Sequence, residues 1–298
     1  RDSVSPQLID RMYDSKQEPK LGGEAGYHTA FFSDIQNFST FSEALEPERM
    51  VALMNEYLTV MSKVILENEG TLDKYIGDAI VAFYGAPVEV ENHENKAILT
   101  VVQMNEKLDE LRYKWRSEGD KWPDLVKNME HRVGVNTGYL VTGNMGSELQ
   151  MNYTCMGDAV NLAARLESGS KFWGIDVQVS ETVYNATRNS YVYRNLGLIR
   201  VKGKSQSVNV YELICHKNFL DKPLTKLLAK FESGYEQYLK QNWDEAIKIF
   251  NDKMILTDLP ADEEKLNFLG EFYTPLAKVD SAATLPKLDN AIIDTIKE

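Results

Sequence analysis

The chain has 298 residues, 43% hydrophobic and 26% charged, with a formal net charge of -12. This composition suits one large globular domain, or one domain with an appendage. The acidic balance weighs against a nucleic-acid backbone as partner, and a polyanionic substrate would need a local basic pocket or bound cations. Two cysteines, Cys155 and Cys215, build no disulfide framework and fit a reducing, cytoplasmic setting; no apolar run reaches the length of a membrane span and no secretory signal is visible.

Residues 1–26 are polar and interrupted by Pro6, Pro19 and "LGGEAG". They read as a linker with one short helix over "PQLIDRMYD". "HTAFFSDI" predicts a buried strand ending on Asp34. Over 43–68, Leu45, Met50, Leu53, Met54, Tyr57, Leu58, Met61, Val64 and Ile65 recur at helical spacing until Gly70. "DKYIGDAIVAFYG" reads as two strands joined through "IGD", and a second amphipathic helix covers 93–117. "HRVGVNTGYLVTGNMG" alternates as a hairpin turning at "NTG". "GDAVNLAARLESGS" predicts a helix beginning after Gly157, and "IDVQVS", "YVYRNLGLIRVKG" and "SVNVYELI" supply three further strands. The order predicts an α+β fold with helices covering one mixed or antiparallel sheet. After residue 216 the composition becomes helical, and "YLKQNWDEAIKIF" resembles a single tetratricopeptide-like unit with no second copy at a period of about 34 residues. Residues 217–298 are therefore read as a helical C-terminal appendage.

Three constellations could carry chemistry. Asp34 closes an apolar strand and Asp78 sits in a hairpin turn; if the strands are neighbours, two carboxylates and a backbone carbonyl form a hard-oxygen site suited to Mg²⁺ or Mn²⁺. Taken alone, each acid is better explained as a cap or a solvated turn residue. Asn161 and Arg165 lie four apart on one helix and share a face, where an amide and a guanidinium can grip sugar and phosphate oxygens. The alternative is an Arg165 paired with Glu167 on the surface. Lys202 and Lys204 flank Gly203 in "RVKGKS", a solvated edge or an anion-binding loop. His28, His93, His131 and His216 have no metal-ligand spacing, and Cys155 reads as a packed thiol rather than a nucleophile.

Together these segments resemble the catalytic domain of class III nucleotide cyclases over residues 27–216. "FFSDIQNFSTFSE", "DKYIGDAIVAFYG", "NYTCMGDAVNLAARLES" and "RVKGKSQSVNVYEL" stand in that family's order and spacing. The resemblance implies a ferredoxin-like βαββαβ core with extra C-terminal strands, and head-to-tail homodimers with composite sites. It implies two divalent cations, Mg²⁺ or Mn²⁺, on Asp34, Asp78 and the carbonyl of Ile35. Backbone amides of Asn37 and Phe38 would face the β- and γ-phosphates. From the partner chain, Asn161 would orient the ribose, Arg165 meet the α-phosphate and Lys202 contact the triphosphate. The segment before residue 27 resembles one that joins such domains to an upstream, often membrane-embedded sensor, so a membrane-anchored parent with a cytosolic catalytic portion is expected.

The choice of base falls on Lys74 and Thr154, the positions that read the purine in this family. Adenine N1 accepts a hydrogen bond and lysine donates one, whereas guanine N1 and N2 donate. Thr154 resembles the bicarbonate-responsive adenylate subgroup, and its hydroxyl can accept from a 6-amino group or donate. Asp73 would weaken the readout if it turned inward onto Lys74, but strand alternation predicts opposite faces. ATP is thus the expected substrate. A guanylate or dual-specificity cyclase is the nearest alternative, followed by a non-catalytic cyclase-like module and a two-metal nuclease or phosphatase.

Overall fold

β1 (Gly22–Ile35) and β4 (His131–Ser147) form an antiparallel ladder running from Gly22 opposite Asn144 to Ile35 opposite His131. The protein is seen in a computed structural model that describes residues 21–147, 149–200 and 207–250. β1 begins earlier than the linker expectation allowed: Gly22–Gly26 pair with Leu140–Asn144. Gly22–Ala25 are exposed and Gly26 half-buried, so no apolar alternation marks them as strand. The expected helix over "PQLIDRMYD" lies outside the described residues.

The "NTG" hairpin is not formed, because β4 runs straight through Asn136, Thr137 and Gly138. These residues favour turns when they are solvated, but here the polar pair is buried and satisfied. Asn136 Nδ2 donates to the Ala159 carbonyl at 2.8 Å, and Thr137 Oγ1 shares a 2.6 Å bond with Thr29 Oγ1. The chain reverses after Ser147 instead, and β5 (Gln150–Met156) returns along the outer end of β4.

Between β1 and β4 lie α1 (Phe38–Ala44), α2 (Pro47–Glu67), β2 (Thr71–Ile76), β3 (Ala79–Tyr84), α3 (His93–Ser117) and α4 (Asp124–Lys127). Pro47 opens α2 and splits the helix expected over 43–68, since a proline suits the first helical turn and drives the preceding residue extended. The spatial order β2-β3-β1-β4, with helical crossovers, is the ferredoxin-like βαββαβ arrangement. Beyond β4 the sheet continues through β6 (Val177–Ser180), β8 (Ser207–His216) and β7 (Tyr191–Arg200), giving eight strands with β5. α5 (Asp158–Trp173) and α6 (Glu181–Thr187) complete this α+β domain; α6 was not anticipated. Phe31, Ile35, Tyr57, Ile98, Val101 and Trp115 join in the main core, between the sheet and α2 and α3.

α7 (Lys222–Leu239) and α8 (Trp243–Phe250) form the described part of the expected appendage, packed on each other through Phe231, Ala246 and Phe250. The pair docks on β7, where the Phe231 ring lies 4.7 Å from the guanidinium carbon of Arg194. Arg194 Nε in turn donates to Glu212 Oε2 at 2.6 Å, and both side chains are buried. Residues 251–298 lie outside the described residues. Among the described residues no helix is long and apolar enough to cross a membrane.

Removing one member of a buried ion pair strands the other charge. Glu212→Ala is expected to lower the unfolding free energy by about 3–5 kcal/mol in urea titrations. A loss under about 1 kcal/mol would mean the pair contributes no more than a surface one.

Candidate active site

Gly77, at φ +65°, turns β2 into β3 and delivers Asp78 beside the end of β1. There Asp78 Oδ2 accepts from the backbone N–H of Ile35 at 3.1 Å. Burial, and then the hydrogen bond and charge of Asp34, push the Asp78 carboxyl up to about 7. Asp34 stands opposite Arg132 in the ladder and accepts from its Nη2 at 3.4 Å, while Arg132 Nε donates to Glu167 at 3.1 Å. Burial also drives the Glu167 carboxyl up to about 7, against the pull of Arg132.

Two neighbouring carboxylates whose charges oppose each other at a strand end fit a hard divalent cation. Among the described residues no group of three or more His, Cys, Asp or Glu could hold a metal. Asp34, Asp78 and the Ile35 carbonyl would therefore share the cations with phosphate and water. Asn37 adopts the left-handed conformation at φ 56° as the N-cap of α1, so the next backbone amides open a helix directly after the acid-bearing strand end. Beside Ile35, His131 is buried and neutral, its pKa pushed down to about 3 by burial. Its two ring nitrogens bond Tyr57 at 3.0 Å and Asn105 at 2.7 Å, which fixes this end of the ladder.

The second cluster joins β2 to β5. Lys74 Nζ donates to Thr154 Oγ1 at 3.1 Å, although the two residues lie 80 apart in sequence. Asp73 does not turn away as alternation predicts. A bulge shifts the β2–β3 register between Leu72 and Lys74, so Asp73 faces the same cluster as its neighbour. Thr154 Oγ1 donates to Asp73 Oδ2 at 2.6 Å, and Lys74 Nζ lies 3.5 Å from Asp73 Oδ1. Burial raises the Asp73 carboxyl above its ordinary range, opposed by Thr154 and Lys74. Cys155 is also buried beside Asp73, with its thiol pushed up to about 12 by burial, as befits a packed group rather than a nucleophile.

The third cluster is on α5, which starts after Gly157 as the sequence indicates and carries Asn161 and Arg165. The helix lies against β4 so closely that a Cβ on Gly134 would fall 2.2 Å from the Ala163 carbonyl oxygen. Glu167 is taken by Arg132, and among the described residues the side chains of Asn161 and Arg165 make no hydrogen bond or ion pair. Lys202 and Lys204 lie outside the described residues. No motif in the sequence points to Arg132, and Asp73 turns inward against the alternation expected of β2. Only the strand register brings Arg132 to Asp34, and only the bulge brings Asp73 to Thr154.

Residues 24–215 match the adenylate and guanylate cyclase catalytic-domain family. The chain belongs to the class III nucleotide cyclases. It is 33% identical over 197 residues to "Adenylate cyclase 1" of Rhizobium meliloti, covering 65% of this chain and 29% of that protein. The chain thus spans under a third of that relative's length. The crystal structure of the adenylyl cyclase CyaB from P. aeruginosa superposes with a TM-score of 0.60 at 35% identity, over 67% of this chain and all of that one. The guanylyl cyclase Cya2 does so with a TM-score of 0.59 at 29% identity, over 67% of this chain and 98% of that one. Class III cyclases depend on divalent cations, and the Asp34 and Asp78 carboxylates are oxygen donors of the kind such cations take.

Gly134→Ala places a methyl against backbone atoms of α5, including the Glu167 nitrogen at 2.3 Å. We expect a stability loss of about 1–3 kcal/mol, with the helix and its Asn161–Arg165 face displaced. Cyclase activity measured on the fraction that remains folded should fall at least about tenfold. Full activity in a folded variant would show that the close approach does not position those residues.

Proposed function

We propose that this cyclase converts ATP to 3′,5′-cyclic AMP and pyrophosphate, at sites composed across a homodimer. The observation that carries the reading is the Lys74–Thr154 contact, which sets an ammonium donor beside a hydroxyl where the family reads its purine. An ammonium suits adenine N1, an acceptor, and opposes guanine N1–H. The 29% identity to a guanylyl cyclase structure keeps GTP as the second reading.

In this proposal Asp34, Asp78 and the Ile35 carbonyl of one chain hold two divalent cations, Mg²⁺ or Mn²⁺. When bound, these supply Lewis acidity toward the ribose 3′-hydroxyl and neutralise the leaving pyrophosphate. The backbone amides of Asn37 and Phe38 cradle the β- and γ-phosphates. The partner chain brings Lys74 and Thr154 to the base and Asn161 to the ribose. Its Arg165 meets the α-phosphate and its Lys202 the triphosphate. Arg165 stabilises charge that grows on the α-phosphoryl oxygens during in-line attack. Asn161 holds the 3′-oxygen in line, so that ring closure proceeds within one bound molecule. No side chain is required as general base, because a substrate phosphate can take the 3′-proton.

The test is a product assay with ATP and GTP in parallel, with Mg²⁺ or Mn²⁺, across protein concentration. Cyclic AMP should dominate, and specific activity should rise with concentration as dimers form. A preference for GTP would overturn the base assignment. Asp78→Ala should reduce turnover about a hundredfold or more with the fold retained. Near-normal cyclic AMP output from that variant with Mn²⁺ would overturn the metal assignment.

A further inference from the structure

The Thr154 hydroxyl owns one proton and two acceptor positions. A hydroxyl that turns freely reads a purine poorly: it accepts from the 6-amino group of adenine and donates equally well to the 6-oxo group of guanine. Here it does not turn freely. Its proton goes to Asp73 Oδ2 at 2.6 Å, and Lys74 Nζ donates to one of its acceptor positions at 3.1 Å. One acceptor position remains.

The lysine is constrained by the same acid. One of its three donors serves Thr154, and the Asp73 Oδ1 atom, 3.5 Å away, attracts another. That oxygen is buried and makes no hydrogen bond among the described residues. The Asp73 side chain is only 2% exposed and Thr154 is 7% exposed, so water competes weakly for these partners. The cluster then offers a substrate one acceptor and one donor side by side. That pair matches the 6-amino group and N1 of adenine, and opposes both O6 and N1–H of guanine.

We infer that Asp73 is a positioning residue that sets base specificity, by holding the Thr154 hydroxyl as an acceptor toward the purine beside the Lys74 ammonium, which can only donate. The bulge at residue 73 is what makes this geometry available, since regular alternation would aim the carboxylate away. An acid beside the reading lysine therefore sharpens the readout. The inference rests on the adenylate reading proposed above and extends it to a residue that does not itself touch the base.

The experiment measures kcat/KM for ATP and for GTP on the full chain. Asp73→Asn can turn its amide NH₂ toward Thr154 and release the hydroxyl proton toward a 6-oxo group. The ATP-over-GTP ratio should fall about tenfold, mainly through a lower KM for GTP. In a Thr154→Val background the same substitution should leave the ratio unchanged, because the hydroxyl it orients is gone. A merely structural acid would instead lower both nucleotides alike in either background. If Asp73→Asn fails to fold by thermal unfolding, Thr154→Val alone decides. A hydroxyl held as acceptor predicts about a tenfold fall in the ratio, and a free hydroxyl predicts equal losses with both nucleotides. An ATP preference that Asp73→Asn leaves intact would overturn this inference and spare the adenylate reading. A GTP preference in the unmodified chain would overturn both.

Discussion

The uninterrupted ladder between β1 and β4 is the constraint on which every part of the candidate site depends. At one end it sets Asp34 opposite Arg132 and Ile35 opposite buried His131. Two residues further along, opposite Phe32, Gly134 admits α5 to within contact of the strand backbone. At the other end β4 stays paired with β1 and takes β5 on its opposite edge, so that Gly143 stands between Gly23 and Thr154. A strand broken at Asn136–Gly138, as the local sequence suggests, would cut this frame in two. Buried partners for Asn136 and Thr137 hold it together.

On that frame, one short segment serves two environments. Asp78 turns to the end of β1, and Lys74, four residues earlier, turns to β5. The two ends carry opposite electrostatic problems. Around Asp78, burial and the neighbouring Asp34 carboxylate raise the proton affinity of its carboxyl, which invites a cation. Around Lys74 a buried carboxylate, a hydroxyl and an ammonium balance one another's charge and orient one another, which favours a neutral edge with a fixed donor pattern. A purine edge has that character, and a triphosphate with its metals has the other.

Much of this was legible in the sequence. The acids, the Lys74–Thr154 pair and the Asn161–Arg165 helix stand at spacings that four motifs in order make specific. The strands β6, β7 and β8 and the helices α3 and α5 follow from periodicity and glycine stops. What was hidden has physical reasons. Gly22–Gly26, mostly exposed, carry no alternation, so their place in β1 depends on a partner far along the chain. The "NTG" triplet carries turn chemistry that tertiary partners override. The bulge at Asp73 defeats the two-residue period on which any face assignment in a strand rests, and nothing in "LDKYI" announces it.

The central claim is that catalysis needs the acid end of one chain and the helix of another. It is tested most directly by mixing two variants, Asp78→Ala and Arg165→Ala, each nearly inactive alone. In a symmetric dimer with composite sites, random exchange restores one intact site in each mixed dimer, or roughly a quarter of the unmodified activity. The account predicts that recovery. A mixture no more active than the sum of its parts, with subunit exchange verified, would contradict it.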